Sequence, residues 1–372
     1  MGMSYLARPL AMLAAGTFTA SVLIAACTAT GAGPRSAEPA PAAPAAPQPQ
    51  TGPTERPPRV VRAGTLATVG DAGWWVAIHR GYFQELGIEF EYTTFNSAAD
   101  MVAPLSAGQL DVGGGAISAG LFNAIARGVE LKAVADKSSS PPGHGTVGLV
   151  VRKDLWESGR VRSPADLKGL RLAISGRGIA PETEVNAFLG RGGLSFKDLD
   201  VTTMSFSDTV VALANQSIDL TVIPEPFLTQ IRSQDLGHIW VRSDEMLPGH
   251  ITAVVLYSPQ FIAEQPDTAR DLLVGYLRAV RDYNDAFFKQ DPAAKQMVVE
   301  ALTRFTPLKN PALYDEMVVQ GLDPNGEVPL ESLEKDQEYF LAAGLQQQRI
   351  DLSKVVDNSF ARAAVQILGP YR

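Results

Sequence analysis

Two neighbouring tryptophans are the first candidates for contact with a small molecule. Trp74 and Trp75 are two of only four tryptophans in the chain, and an indole can stack on a flat compound or cover an apolar one. Because tryptophan also packs well in a core, we expect one of the two to be buried there. Arg177 lies between two glycines at a predicted helix start. A guanidinium in that position suits a two-point contact with a carboxylate or sulfonate, and a plain surface role is equally open.

Other chemistry-bearing patterns are weaker. Glu225 suits an amine-bearing compound or the first turn of a helix. The segment Ala116–Gly120 resembles the nucleophile elbow of hydrolases with alanine for the first glycine, but Ser118 has no recognisable His/Asp partner. The run Gly113–Gly115 brings the backbone close to a neighbour and lacks the context of a phosphate loop. The four histidines show no metal-ligand spacing. We therefore expect no catalytic residue, no metal and no cofactor.

Composition excludes several classes of protein. The chain has 372 residues, a net charge of −8, 45% hydrophobic residues and one cysteine. A single cysteine excludes an intramolecular disulfide, a zinc ribbon and an iron–sulfur centre. The acidic balance, without a run of basic residues, argues against a nucleic-acid partner. The length favours two domains.

The N-terminus is typical of an export signal. Residues 10–26 carry no charge, and Ile24-Ala25-Ala26-Cys27 resembles a bacterial lipobox, in which a peptidase cuts before a cysteine that carries lipid. We predict a signal peptide over 1–26 and lipidation of Cys27. A plain signal peptide and a short membrane anchor are the alternatives. Residues 31–58 contain 9 prolines and 7 alanines, so that 27–58 is predicted to be an extended tether from the lipid to the folded body.

The body over 59–372 alternates strand-like and helix-like segments, which predicts an α/β fold. Two units share this plan and show a weak internal echo, in which 105–112 aligns with 213–220. A strand leads from the second unit into a helical C-terminal third. The predicted strands are Val60–Thr68, Ile88–Phe95, Leu110–Val112, Leu131–Ala135, Leu170–Ile174, Val201–Met204, Leu220–Ile223 and Ile251–Tyr257.

Six segments resemble the solute-binding proteins of ABC importers, in the nitrate/sulfonate/taurine branch. Each motif alone is weak, but their order and spacing make the set specific. One position departs from the pattern, because Gln216 replaces the usual glycine of the second Gly-x-hydrophobic-Asp motif. We expect Asn215 to supply that turn. The segments are 73–91, 105–113, 123–132, 163–169, 224–227 and 351–357.

This resemblance implies a two-lobe fold of the type II periplasmic-binding-protein kind, also called a Venus flytrap. The implied boundaries are 59–145 with 252–372 for one lobe and 146–251 for the other. The resemblance further implies a small-molecule ligand in the cleft, closure by a hinge motion, and docking on an ABC permease. We expect a monomer that is lipid-anchored outside the cytoplasm. His144 and His250 flank glycines near the lobe boundaries and are candidates for the hinge.

The implied fold also predicts where the ligand lies. In such lobes the carboxyl ends of the strands and the following helix N-termini face the cleft, and those N-termini suit an anion or a carbonyl group. The paired tryptophans favour a small organic ligand, such as a sulfonate, an aromatic acid or a heterocycle. The expected site residues are Asp71, Trp74, Trp75, Asn96, Ser97, Gly115, Ala116, Ser118, Ser175, Gly176, Arg177 and Glu225.

Two alternative functions remain open on the sequence alone. Thiamine-pyrimidine synthases resemble these proteins, but they depend on a cysteine-rich motif and an active-site histidine. The body beyond Cys27 has no cysteine, which argues against that enzyme. The other alternative is a lipoprotein that senses its ligand and serves a partner other than a permease.

Replacing Cys27 with serine tests the lipid anchor. Because serine has no thiol to carry the lipid, we expect the Cys27→Ser protein to leave the membrane pellet and enter the soluble fraction. Immunoblotting after cell fractionation measures this. A Cys27→Ser protein that stays with the membrane was never anchored by the cysteine.

Overall fold

The computed structural model describes residues 59–371, so the predicted signal peptide, Cys27 and the tether lie outside the described residues. Within this range ten strands form two five-stranded sheets, which confirms the predicted α/β fold. No helix of residues 59–371 combines the length and the apolar character needed to cross a membrane. The strands are β1 Arg59–Thr65, β2 Ile88–Thr94, β3 Val112–Ala116, β4 Lys132–Ser139, β5 Val147–Arg152, β6 Arg171–Ile174, β7 Asp200–Thr203, β8 Leu220–Pro224, β9 Gly237–Arg242 and β10 Ile251–Tyr257.

The first sheet has the strand order β2-β1-β3-β10-β4. Strand β1 pairs in parallel with β2 and β3, whereas β10 runs antiparallel to β3 and β4. We call the half of the molecule built on this sheet, residues 59–139 and 251–371, lobe 1. Because β1, β2 and β3 are parallel, the loops that follow them meet at one edge of the sheet.

The second sheet repeats this plan with the order β7-β6-β8-β5-β9. Strand β6 is parallel to β7 and β8, and β5 is antiparallel to β8 and β9. We call residues 147–242, which contain this sheet, lobe 2. The chain crosses between the lobes twice, through residues 140–146 and 243–250.

An arginine–aspartate fork occurs once in each sheet. In lobe 1 the carboxylate of Asp111 accepts hydrogen bonds from Arg62 through its backbone N (2.8 Å), Nε (3.0 Å) and Nη2 (2.7 Å). In lobe 2 Asp219 accepts the same three bonds from Arg171, at 3.0, 2.9 and 2.7 Å. Hydrogen bonding to Arg171 lowers the pKa of Asp219 to about 2. The echo seen in the sequence therefore reflects a repeated structural unit.

The turn before each fork has left-handed backbone geometry. In lobe 1 this position is Gly108, with φ 67°, and in lobe 2 it is Gln216 itself, with φ 63°. The expectation that Asn215 supplies the turn was wrong, since Asn215 has φ −81°. The carbonyl of Gln216 accepts a hydrogen bond of 2.9 Å from Arg171 Nη2, so the fork stabilises a turn that a side chain disfavours.

Helices pack around both sheets. The longest of those described, α11 (Pro266–Phe287), contacts α1 (Ala72–Arg80) in lobe 1. The ring of Trp74 on α1 lies 4.4 Å, centroid to centroid, from Tyr276 on α11. The helices are α1 Ala72–Arg80, α2 Tyr82–Glu85, α3 Val102–Ser106, α4 Ala119–Ala126, α5 Lys153–Glu157, α6 Ala180–Gly190, α7 Phe206–Ala214, α8 Phe227–Ser233, α9 Ser243–Met246, α10 Pro259–Glu264, α11 Pro266–Phe287, α12 Pro292–Phe305, α13 Leu330–Ala342 and α14 Ser359–Leu368.

A buried charged cluster joins the lobes where the chain crosses between them. His250, just before β10, places Nδ1 2.8 Å from Glu184 Oε1 on α6 and Nε2 3.2 Å from Asp336 Oδ2 on α13. All three side chains are fully buried. Burial by itself lowers the pKa of His250, but attraction to Asp336 and Glu184 outweighs it and raises the pKa to about 10. A positively charged His250 therefore holds α6 of lobe 2 against α13 of lobe 1.

The His250 cluster predicts a loss of stability at alkaline pH. The pKa of His250 in the folded protein, about 10, lies above its ordinary value of 6.5. Its contribution to the free energy of unfolding is therefore complete below about pH 6.5 and falls as the pH rises towards about 10. We expect His250→Gln to lower Tm near pH 6, because two buried carboxylates lose their counter-charge, and the difference from wild type to shrink towards pH 10.

Thermal unfolding of both proteins across this pH range measures the effect. Gln296→Leu, on the exposed face of α12 and outside the cluster, is the control and should follow wild type. Parallel Tm profiles for wild type and His250→Gln would show that the imidazolium contributes no stability.

Candidate functional site

A cavity of about 50 Å³ lies between the lobes. It is bounded by the segments that follow parallel strands in both sheets, which is where the strand arrangement predicts a ligand site. Lobe 1 and lobe 2 each contribute three such segments. Their lining residues include Leu66, Ala98 and Ala116 from lobe 1 and Ser175, Phe206 and Pro224 from lobe 2.

The lobes are in contact on two sides of this cavity. On one side the backbone N–H of Val69 donates to the carbonyl of Glu225 at 3.1 Å. On the other, Ala119 N–H donates to the carbonyl of Gly178 at 2.8 Å, and Ala180 N–H donates to that of Ile117 at 2.9 Å. The two-lobe fold is therefore seen in a closed arrangement.

An ion pair is buried at the wall of the cavity that lobe 1 provides. Lys137 on β4 places Nζ 2.9 Å from Asp71 Oδ1, and both side chains are at most 1% exposed. The two atoms are close but are not aligned as a hydrogen bond. The other oxygen of Asp71 accepts hydrogen bonds from the backbone N–H of Leu66 (3.2 Å) and Thr68 (3.0 Å). The pair thus links β4 to the loop that follows β1.

The three glycines of β3 make room for neighbouring side chains. A Cβ on Gly113 would lie 2.9 Å from Leu105, a Cβ on Gly114 would lie 2.5 Å from Lys137 Cε, and a Cβ on Gly115 would lie 2.5 Å from the Cβ of Ala98. Real Cβ atoms do not approach that closely. The run that the sequence marks as a close backbone approach therefore lets Lys137 cross the strand and reach the cavity.

Gln320 adds a buried amide group to the cavity wall. Its side chain is 1% exposed and lines the cavity. The amide nitrogen Nε2 has no hydrogen-bond partner within residues 59–371. Because a buried donor without a partner costs free energy, this amide is a natural point of contact for a bound molecule.

Three of the predicted site residues, Gly115, Ala116 and Ser175, line the cavity. Two others approach each other across the lobes, since a Cβ on Gly176 would lie 2.4 Å from Ser97 Oγ. Ser118 caps α4 by accepting a hydrogen bond of 3.1 Å from Leu121 N–H. Asn96 is exposed beside the cleft and is not part of the cavity lining.

Both tryptophans are fully buried and lie outside the cavity lining, which corrects the expectation that one of them faces a ligand. The ring of Trp74 stacks on Phe90 at 5.3 Å, and that of Trp75 stacks on Phe305 at 5.1 Å. Trp75 Nε1 also donates to the carbonyl of Thr68 at 3.3 Å. Helix α1 thus directs both indoles into the core of lobe 1.

Two further charged candidates, Arg177 and Glu225, are also engaged elsewhere. Arg177 donates to the carboxylate of Glu182 through Nε (3.0 Å) and Nη2 (3.2 Å), and it is not among the lining residues of the cavity. Glu225 is fully buried and accepts a hydrogen bond of 3.0 Å from Thr229 N–H in the first turn of α8. It also lies 3.4 Å from Arg242 Nη1. The alternative that Glu225 is a helix N-terminal charge therefore describes it correctly.

Sequence reasoning missed Lys137 and Gln320. One signal was available for the lysine, because Asp136 and Lys137 follow the apolar residues Ala133–Ala135 of the predicted strand and β4 continues through them to Ser139. A charged residue inside a buried strand requires a partner or a function. Gln320 lies in a loop and has no comparable signal.

Comparison with known proteins supports the same fold. A Brucella abortus protein named as a binding protein is 26% identical over 255 residues, which cover 67% of this chain and 75% of that protein. The periplasmic nitrate-binding protein NrtA of Synechocystis superposes with a TM-score of 0.68 at 15% identity, covering 84% of this chain and 89% of that one. The alkanesulfonate-binding protein SsuA of Xanthomonas axonopodis, solved with MOPS, has a TM-score of 0.65 at 17% identity, with coverage of 81% and 99%.

An enzyme also shares this architecture. The desulfurization enzyme DSZB has a TM-score of 0.58 at 14% identity, covering 83% of this chain and 99% of that one. These likenesses confirm the periplasmic-binding-protein type of fold that the sequence resemblance implied. The model of the NMT1-like family matches residues 54–303, which are 250 of the 372 residues. The chain therefore belongs to the NMT1-like family.

Proposed function

We propose that this protein is an extracytoplasmic solute-binding lipoprotein that captures a small organic ligand between its lobes and delivers it to an ABC importer. The observation that carries the proposal is the closed cavity, which both lobes line and which contains a buried ammonium group. The nitrate-binding and alkanesulfonate-binding proteins of the same fold support it. Lipidation of Cys27, the tether over 27–58, lobes bounded at about residues 145 and 251, and a monomeric state complete the proposal.

The chemistry of the cavity favours binding over catalysis. Among its lining residues, all within 59–371, Lys137 is the only titratable group, and Asp71 occupies one side of its ammonium. Proton transfer and nucleophilic catalysis require a base or an activated nucleophile at the reacting atoms. The serines of the lining, Ser138 and Ser175, have no histidine or carboxylate beside them in that lining. We therefore propose that the ligand leaves unchanged.

The size of the cavity further limits which ligands can bind. A cavity of about 50 Å³ favours a compact ligand over an extended one. The buried tryptophans also remove the reason to expect a flat ligand. Of the sulfonates, aromatic acids and heterocycles considered from the sequence, a compact sulfonate or a similar small organic acid fits best.

A thermal-shift screen of the full chain tests the proposed function. A ligand present at 100 times its Kd raises the free energy of unfolding by about 2.7 kcal/mol, so sulfonates, nitrate, short carboxylates, aromatic acids and pyrimidines can be ranked by Tm. Mass spectrometry of the mixture shows whether a compound is converted. Turnover of a compound by the protein would contradict the proposal.

Filling the cavity should abolish this binding. Ala253 on β10 lines the cavity and is 7% exposed, so the Ala253→Phe side chain would occupy the space of the ligand. We expect the Kd of the best compound from the screen to rise at least about tenfold, as measured by calorimetry. The control is Ala103→Phe on the exposed face of α3, which should bind as wild type does. Unchanged affinity in Ala253→Phe would place the ligand elsewhere.

A further inference from the structure

Lys137 and Gln320 present hydrogen-bond donors to one small space. A Cβ on Gly70 would lie 3.6 Å from Lys137 Nζ and 3.4 Å from Gln320 Nε2. Gly70 has no side chain, so the space between the two nitrogens stays open. All three residues line the cavity, and both polar side chains are 1% exposed.

The nitrogen atoms of these two groups donate hydrogen bonds and do not accept them. An ammonium has three N–H donors and no acceptor, and an amide nitrogen has two N–H donors. Gln320 Nε2 has no partner within residues 59–371, and the contact of Lys137 with Asp71 uses one side of the ammonium. A molecule that satisfies this end of the cavity must therefore bring acceptor atoms. An amine in the same place would leave the donors unpaired and face a positive charge.

The charge of the cavity limits the charge of the ligand. Lys137 is the only charged residue of the lining, and its partner Asp71 does not line the cavity, so the ion pair presents its positive end to a ligand with a single negative charge. A second negative charge on the ligand would be buried without a counter-charge, which is costly in a low-dielectric site. The opposite wall includes the apolar side chains of Val147, Ile174 and Val222, which suit a short hydrocarbon group.

We propose that Lys137, Gln320 and Gly70 form a head-group subsite for a small organic monoanion, a carboxylate or a sulfonate, whose hydrocarbon part faces lobe 2. Asp71 positions Lys137 and does not touch the ligand. This inference rests on the proposed function and specifies which end of the cavity recognises the ligand.

Four compounds of matched size test the ligand class on the full chain by calorimetry. Propionate and methanesulfonate carry a singly charged oxyanion, propionamide is neutral, and propylamine is a cation. We expect at least one of the two oxyanions to bind. The Kd of propionamide should be at least about tenfold higher, and propylamine should show no binding. The comparison of propionate with methanesulfonate distinguishes the two oxyanions. Tighter binding of propylamine or propionamide overturns the inference and leaves the proposed function standing.

Three variants test the residues. Gln320→Leu removes the free donors and Gly70→Ala fills the space between the nitrogens, so each should raise the Kd of the bound oxyanion at least about tenfold. Asp71→Asn with Lys137→Met removes the ion pair as a unit, which avoids a lone buried charge, and should also weaken binding. Gln296→Leu on the exposed face of α12 is the control and should leave the Kd unchanged.

Two results overturn the inference alone. One is an oxyanion whose Kd is the same for wild type, Gln320→Leu and Gly70→Ala, with Tm showing that the variants are folded. The other is the absence of binding by all four compounds while the wider screen finds a ligand of another class. If that screen yields turnover of a compound in place of binding, the proposed function itself fails.

Discussion

The burial of Lys137 is the constraint on which the cavity depends. An ammonium inside a protein is costly unless a counter-charge meets it, and Asp71 supplies that charge at 2.9 Å. Asp71 can do so because backbone N–H groups of the loop after β1 hold its other oxygen. Gly114 is needed for the same reason, since a side chain there would collide with Lys137. One ion pair thus determines a loop conformation, a glycine in β3 and the polar end of the cavity.

The contacts between the lobes are buried and charged at α6 but uncharged or exposed near α8. This difference in strength limits how the lobes could separate. The start of α6 is joined to lobe 1 by buried groups: Thr183 donates to Asp336 at 2.7 Å, and Glu184 meets His250 at 2.8 Å. Near α8 the contacts are a backbone hydrogen bond and the exposed ion pair of Arg232 with Glu316. Breaking a buried charged pair costs about 3–5 kcal/mol, whereas an exposed pair contributes about 0–1 kcal/mol. A motion that keeps the buried charges paired therefore pivots at α6 and opens along α8.

The sequence predicted the α/β fold class and eight of the ten described strands because those signals are local and periodic, but it missed β5 and β9. A reader can recognise the alternation of strands and helices without knowing any long-range contact. The same holds for the repeated apolar-Asp-apolar turns at Asp111 and Asp219. The site was harder, since side-chain direction depends on what packs against each element. Trp74 and Trp75 follow β1, where a ligand site is expected, but α1 directs their side chains towards α11 and α12. The carboxylate partner of Arg177 is Glu182, only five residues later in the chain. The sequence contains both residues but does not show that their side chains pair.

The lobe 1 wall of the cavity carries polar side chains and the lobe 2 wall is mostly apolar. The two walls would therefore contribute differently to recognition of the ligand and to closure of the lobes. The polar side chains Lys137, Gln320 and Thr68 belong to lobe 1, whereas the lobe 2 wall is mostly apolar and has no charged side chain in the lining. A ligand held by its head group would therefore find its directional contacts on lobe 1 before the lobes meet. Lobe 2 then adds burial of apolar surface, worth about 25 cal/mol for each Å² removed from water. Since only the closed form would make that contact, the hydrocarbon part of a ligand bound in the proposed way would shift the population of the lobes towards closure, and the head group would determine which molecule is bound when the lobes close.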